Sequence, residues 1–172
     1  MMAPGLRKFV LALHLTVSIG WIGAVAAYIA FDVVAAVGSD EQSLRTAFLA
    51  MDRIARHVIV PLAVASLLTG VIVSLGTKWG LFRHYWAVIS LLMTVFAVVI
   101  LLVETRTIGH LADIAADPAT SREELRALGN TLVHSIGGTL VLLVILVLNV
   151  YKPRGVTRYG QRKERERPAV AR

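Results

Sequence analysis

Apolar residues along this chain gather into four long runs, at 9–37, 58–76, 85–103 and 132–151. At 1.5 Å per residue each run is long enough to cross about 30 Å of hydrocarbon. The pattern predicts an all-α protein: a four-transmembrane-helix bundle over 1–152, forming one domain because short loops join its helices. The segment 153–172 has basic residues but no apolar period, and is expected to be a disordered tail. Arg7 and Lys8 precede the first run in the manner of a signal peptide. That run is about twice the length of a signal core, so a membrane helix is the expectation.

Polar positions punctuate the runs. Ser39 with Gln42, and Ser121 with Glu124, read as capping boxes. The second and fourth helices are therefore expected to start outside the membrane and run in without a break. Gly38 should end the first helix, and Asp117 with Pro118 should break the outer loop that follows the third. Pro61 should kink the second, and Trp79, Trp86 and Tyr151 suit a membrane–water boundary.

Charge sets the orientation. With the N-terminus in the cytoplasm, twelve of the 18 Lys and Arg residues fall on the inner side: Arg7, Lys8, Lys78, Arg83 and eight beyond Tyr151. Nine of the 11 acids fall at the other end. This is the positive-inside pattern, with both termini cytoplasmic, and it points to a bacterial cytoplasmic (inner) membrane. It also explains the net charge of +7 without nucleic acid. The expected partners are the lipid bilayer, with anionic lipid at the basic tail. The chain has no cysteine, which excludes disulfides, thiolate metal sites, iron–sulfur clusters and c-type haem attachment.

Ionisable groups within spans are costly, and by default they mark function. Here they are His14, Asp32, His57, His84, Glu104 and His134. Counted from the inner ends of their spans, His57 and His134 both lie roughly 27 Å up, and Asp32 and Glu104 reach a similar level. His14, Ser18, Trp21, Val25, Tyr28 and Asp32 share one stripe of the first helix, which should face the bundle. Gly137 and Gly138, one turn from His134, either allow close helix packing or leave room for a flat cofactor.

Three readings stay open. Two imidazoles at equal depth can clamp the iron of haem b, with His57 and His134 as the axial pair and His14, with or without His84, as a second site. Such a haem would move electrons to or from a quinone or a redox partner protein, and an oxidoreductase activity would be compatible with it. Alternatively, Asp32, His57, Glu104 and His134 form a nitrogen and oxygen set that suits a transition metal such as zinc, copper, manganese or iron, for binding or transport. In that setting Glu104 could also pair with nearby Arg106. Thirdly, the chain could be a cofactor-free accessory subunit or a homo-oligomer, with the glycine face as its contact surface. Walker, nucleophile-elbow, zincin and dinucleotide motifs are all missing, so nucleotide-driven and hydrolytic chemistry have no support.

The run from Leu13 and His14 to Trp21 and Gly23 resembles the first-helix signature of the copper-resistance D group and the HemJ-type protoporphyrinogen oxidases. The stretch holding Tyr85, Trp86 and Thr94, and ending at Glu104 to Arg106, resembles an uncharacterised family of bacterial integral membrane proteins. Size and layout are also similar to four-helix cytochromes of the b561 type. The resemblance to the HemJ-type enzymes implies haem b with His14 as a ligand.

Overall fold

A computed structural model describes residues 2–77 and 80–165. Lys78 and Trp79 lie outside the described residues, as does the end of the tail at 166–172. The chain forms α1 (Pro4–Val37), α2 (Glu41–Ile54), a π-helical turn (Ala55–Ile59), α3 (Val60–Gly76), α4 (Tyr85–Ala116), α5 (Arg122–Ala127), α6 (Leu132–Tyr151) and α7 (Arg158–Arg165). Four helical stretches are long and apolar enough to cross a membrane: Pro4–Val37, Glu41–Gly76, Tyr85–Ala116 and Arg122–Tyr151. The protein is a multi-pass four-helix membrane bundle. α1 packs on both α2–α3 and α6, and α4 packs on the same two, so α1 and α4 stand on one diagonal and α3 and α6 on the other.

Local chemistry explains where the elements start and stop. Asp40, one residue after the expected Ser39, caps α2 by accepting from the Ser43 amide at 2.8 Å. Ser121 and Glu124 form the expected capping box on α5. Gly38 ends α1, and a Cβ there would come within 2.5 Å of the Val34 carbonyl. Pro61 has no amide hydrogen, and the turn before it is wound wider, with the Val60 amide bonding the Ala55 carbonyl five residues back.

Three expectations are corrected. The third helix does not end near residue 103 but continues to Ala116, because Ile108, Ala112 and Ala115 form an apolar stripe that is buried. The fourth is not continuous: α5 stops at Ala127, Gly129 takes φ +76, and α6 starts afresh after Thr131. Nor is the tail without structure from Pro153. Its backbone meets the turn before α4, where the Tyr85 amide donates to Gly155 and the Thr157 amide donates to Arg83 at 2.9 Å. α7 follows directly from this contact.

The tightest core lies at one end of the bundle, where α2, the extension of α4 and α5 meet. Leu44, Phe48, Met51 and Leu125 are fully buried there. Along the spans, by contrast, Phe9, Ile19, Leu92, Phe96 and Leu140 are exposed, as suits lipid contact. Water drives apolar burial at the first place, and lipid supplies no such drive at the second. Polar bonds join the helices within the spans instead: Ser18 to Ser66 at 2.7 Å, His14 to Thr69 at 3.0 Å and Asn149 to Ser90 at 3.2 Å.

Arg45 locks the well-packed end. Its guanidinium donates to the carbonyls of Ala115 (2.8 Å), Asp117 (2.6 Å) and Thr120, and it pairs with Glu41 at 2.9 Å. A cation at the C-terminus of α4 also suits that helix's dipole. Arg45→Ala should therefore cost about 2–4 kcal/mol, from the lost charged hydrogen bonds and the carbonyls left unpaired. Thermal unfolding in detergent should show a lower midpoint for this variant, with exposed Arg126→Ala as a near-silent control.

Candidate functional site

One cavity, of about 380 Å³, opens between α4 and α6 and reaches in to α1 and the π turn. Its apolar length is lined by Trp21, Val25, Phe96, Leu101, Val141 and Leu142. At one end the wall turns polar, with Tyr28, Glu104, Thr131, His134 and Ser135. No lysine or arginine lines it. The volume lies at the small end of the range for ligand sites, and the composition, mostly apolar with a few convergent polar groups, is typical of them.

The two glycines beside His134 account for the opening. A Cβ added to Gly137 or Gly138 would meet nothing within 4 Å, and both residues line the cavity. They do not bring helices together. Elsewhere glycine does serve close approach: a Cβ at Gly109 would meet the Arg56 guanidinium at 1.9 Å, and one at Gly70 would meet the His14 ring at 3.1 Å. The π turn contributes Ala55 and Ile59 to the cavity floor. π turns recur at functional sites, because the extra residue re-aims the side chains on either side.

Behind the polar wall stands Asp32, with 0% of its surface exposed. Its Oδ1 accepts from the Thr131 amide at 2.9 Å, and its Oδ2 accepts from the hydroxyls of Thr131 (3.0 Å) and Ser135 (2.8 Å). The Tyr28 hydroxyl lies 2.9 Å from that of Thr131. A carboxylate at the N-terminus of α6 satisfies its first amide and faces the positive end of the helix dipole. Asp32 thus pins the start of α6 to α1. Asp32 stands out in the sequence, but its partners Thr131 and Ser135 do not; Tyr28, on the same stripe one turn away and bonded to Thr131, was the available signal.

The other sequence-derived candidates are dispersed. Glu104 Oε1 lies 3.8 Å from His134 Nε2, so these two groups face each other across the mouth of the cavity, and Glu104 turns to His134 rather than Arg106. His134 keeps 60% of its side chain exposed. His57 is at the expected level but points the other way: it is exposed and bonds its own helix at the Arg53 carbonyl (3.1 Å). The reason is angular. Ala55 and Ile59 face inward, and the residue midway between them must face out.

His14 lies in the α1–α3 seam. The Thr69 hydroxyl donates to the Ala65 carbonyl (2.6 Å), so it accepts from His14 Nδ1 and leaves Nε2 with its lone pair. His84 caps α4 beside Val156 and Trp86. As α1 and α4 are diagonal, these two histidines belong to different seams.

Two axial imidazoles therefore do not face one cavity, and a bis-histidine haem does not fit these residues. Among the described residues no three histidine or carboxylate side chains gather as a metal-ligand set. Asp32 is already occupied by its donors, leaving Glu104 and His134 as a pair. No protein-family model, curated protein or solved structure matches this chain, so the site is read from its own residues.

Gly138→Ala should leave the thermal midpoint in detergent unchanged or raise it, since alanine is the better helix former by up to about 1 kcal/mol. Gly38→Ala, whose Cβ would press on the Val34 carbonyl, should lower the midpoint. The reverse order would mean that Gly138 is packed against another helix.

Proposed function

We propose that this protein binds an isoprenoid quinone or quinol in the cleft between α4 and α6, and serves redox chemistry in a bacterial cytoplasmic membrane. The single observation that carries the reading is the division of the cavity wall into an apolar length and one hydrogen-bonding end. A quinone has the same division, a polar ring on an apolar chain. With no lysine or arginine in the wall, a phosphate headgroup would lack a partner, whereas a neutral ring head suits Tyr28, Glu104 and His134. Histidine and glutamate facing each other also supply groups that can exchange the protons which quinone chemistry consumes and releases.

The charge distribution supports the orientation with both termini in the cytoplasm, which places α7 at the inner face. Arg158, Arg162, Lys163 and Arg165 on that helix then suit anionic headgroups. The polar end of the cavity, near α5, would sit towards the outer surface.

Haem b held by His134 alone is a second reading. The bare backbone at Gly137 and Gly138 favours it, because it leaves a flat face beside the imidazole. Bound haem would supply one-electron chemistry, and His134 would hold it.

Purified protein in lipid nanodiscs should bind decylubiquinol saturably, by calorimetry, at one molecule per chain. Gly138→Leu, which fills the cleft, and His134→Ala, which strips its polar end, should each weaken binding about tenfold or more. Unsaturable partitioning, or full binding by Gly138→Leu, would remove the quinone reading. A Soret band in the absorption spectrum of the same sample, lost in His134→Ala, would establish the haem reading in its place.

A further inference from the structure

We infer that the cavity selects the reduced, hydroxyl-bearing form of its ligand, a quinol, over the quinone, because Asp32 draws the protons of the wall hydroxyls into the protein. The inference rests on the assignment of a quinone-type ligand to this cavity and adds which redox form it holds.

An ionised carboxylate can only accept, so the contacts from Thr131 and Ser135 to Asp32 Oδ2 fix both of those hydroxyls as donors. A hydroxyl has one proton. Thr131 has committed its own to Asp32, so at its 2.9 Å contact with Tyr28 it must be the acceptor, and Tyr28 the donor. The proton of Tyr28 therefore points to Thr131, that of Thr131 to Asp32, and that of Ser135 to Asp32, with the Leu132 carbonyl at 3.2 Å as its second acceptor. All three residues line the cavity, and a hydroxyl whose proton is committed within the protein can offer a ligand only its oxygen lone pairs.

The remaining polar groups do not reverse this. Glu104 is a second acceptor when ionised. The Thr105 hydroxyl is spent on the Leu102 carbonyl at 2.8 Å. His134 offers one donor and one acceptor, depending on its tautomer. The indole of Trp21 lies two turns along α1 from Tyr28, roughly 10 Å away, beside the apolar length. On α2 and the π turn, Asp52 pairs with Arg56, whose guanidinium lies over Gly109, and neither they nor Arg53 line the cavity. The polar end is thus rich in acceptors and poor in donors. A quinone brings two carbonyl acceptors and finds acceptors opposite. A quinol brings two O–H donors and finds partners.

Asp32→Asn tests this without changing shape. With its carbonyl oxygen still accepting from the Thr131 amide, the new NH₂ group replaces Oδ2 and donates to the Thr131 and Ser135 oxygens. The Thr131 proton must then turn to Tyr28, and the Tyr28 proton turns into the cavity. One isosteric substitution, four residues from the nearest wall hydroxyl on its own helix, converts the wall from acceptor to donor.

The experiment is anaerobic calorimetry of the full chain in nanodiscs with two probes, decylubiquinol and decylubiquinone. The wild-type protein should prefer the quinol by about tenfold, the effect of one or two net hydrogen bonds. In Asp32→Asn the preference should vanish or invert. Tyr28→Phe, which deletes the acceptor and leaves Asp32 in place, should weaken quinol binding and spare the quinone. That variant keeps the test open if Asp32→Asn does not fold. Equal affinities in the wild type, a preference for the quinone, or the same preference in a folded Asp32→Asn protein would overturn the inference while leaving the quinone site standing. If neither probe binds, the ligand assignment fails and this inference falls with it.

Discussion

A carboxylate taken out of water must be surrounded by donors, since leaving it unsatisfied costs several kcal/mol or more. At Asp32 the donors are the first amide of α6 and two hydroxyls of the same helix end, and no lysine or arginine takes part. The arrangement solves two problems together. α6 begins in mid-bundle after a break at Gly129, and such a start leaves amides that need acceptors. Asp32 provides one and fixes the height and rotation of α6 against α1. Because His134, Ser135, Gly137 and Gly138 follow within two turns, the same contact positions most of the polar end of the cavity.

A cavity can persist here for a reason tied to the solvent. In water, apolar surface closes up on itself, as Leu44, Phe48, Met51 and Leu125 do at the α2–α5 end. Within the bilayer that force is missing, and helices are held by small-residue contacts and polar pairs. The spans of this bundle follow that rule: Ser18 with Ser66 and His14 with Thr69 clamp α1 to α3 along its length, while α4 and α6 are joined by Asn149 and Ser90 at one end and face each other only at Glu104 and His134 towards the other. The seam between α4 and α6 is open where no such pair closes it.

The fold was legible in the sequence because bilayer thickness imposes a length scale on the apolar runs. The bounds of the fourth apolar span, 132 and 151, coincide with those of α6, and the end of the second span and the start of the third coincide with the end of α3 and the start of α4. The extension of α4 was not legible in the same way. Residues 104–116 are too polar for a membrane run, and their amphipathic period becomes meaningful only beside α2. For the tail, composition argued against structure, yet backbone pairing of Gly155 and Thr157 with the turn before α4 needs no apolar side chains at all. The stripe of α1 carried the most information about the site: Trp21, Tyr28 and Asp32 on it are all buried.

Depth along a helix and direction around it are separate coordinates, and the candidate site shows how differently they are encoded. Counting residues placed His57, His134, Asp32 and Glu104 at one level, and Ala55 and Ile59, on either side of His57, line the same cavity as Glu104 and His134. Azimuth is another matter. His57 shares the outward face of Val64 and Leu68 further along the same stretch, whereas Ala55, Ile59 and Ala63 take the inward face. Before Pro61, which lacks an amide hydrogen, that stretch is also wound wider. The chemistry of the site then rests on α1, α4 and α6, which carry no such irregularity within the spans. What those three helices bring together is an acid, an imidazole and three hydroxyls around an apolar slot. That set can bind a polar ring and pass its protons on, and it supplies too few nitrogen ligands to hold iron from both sides.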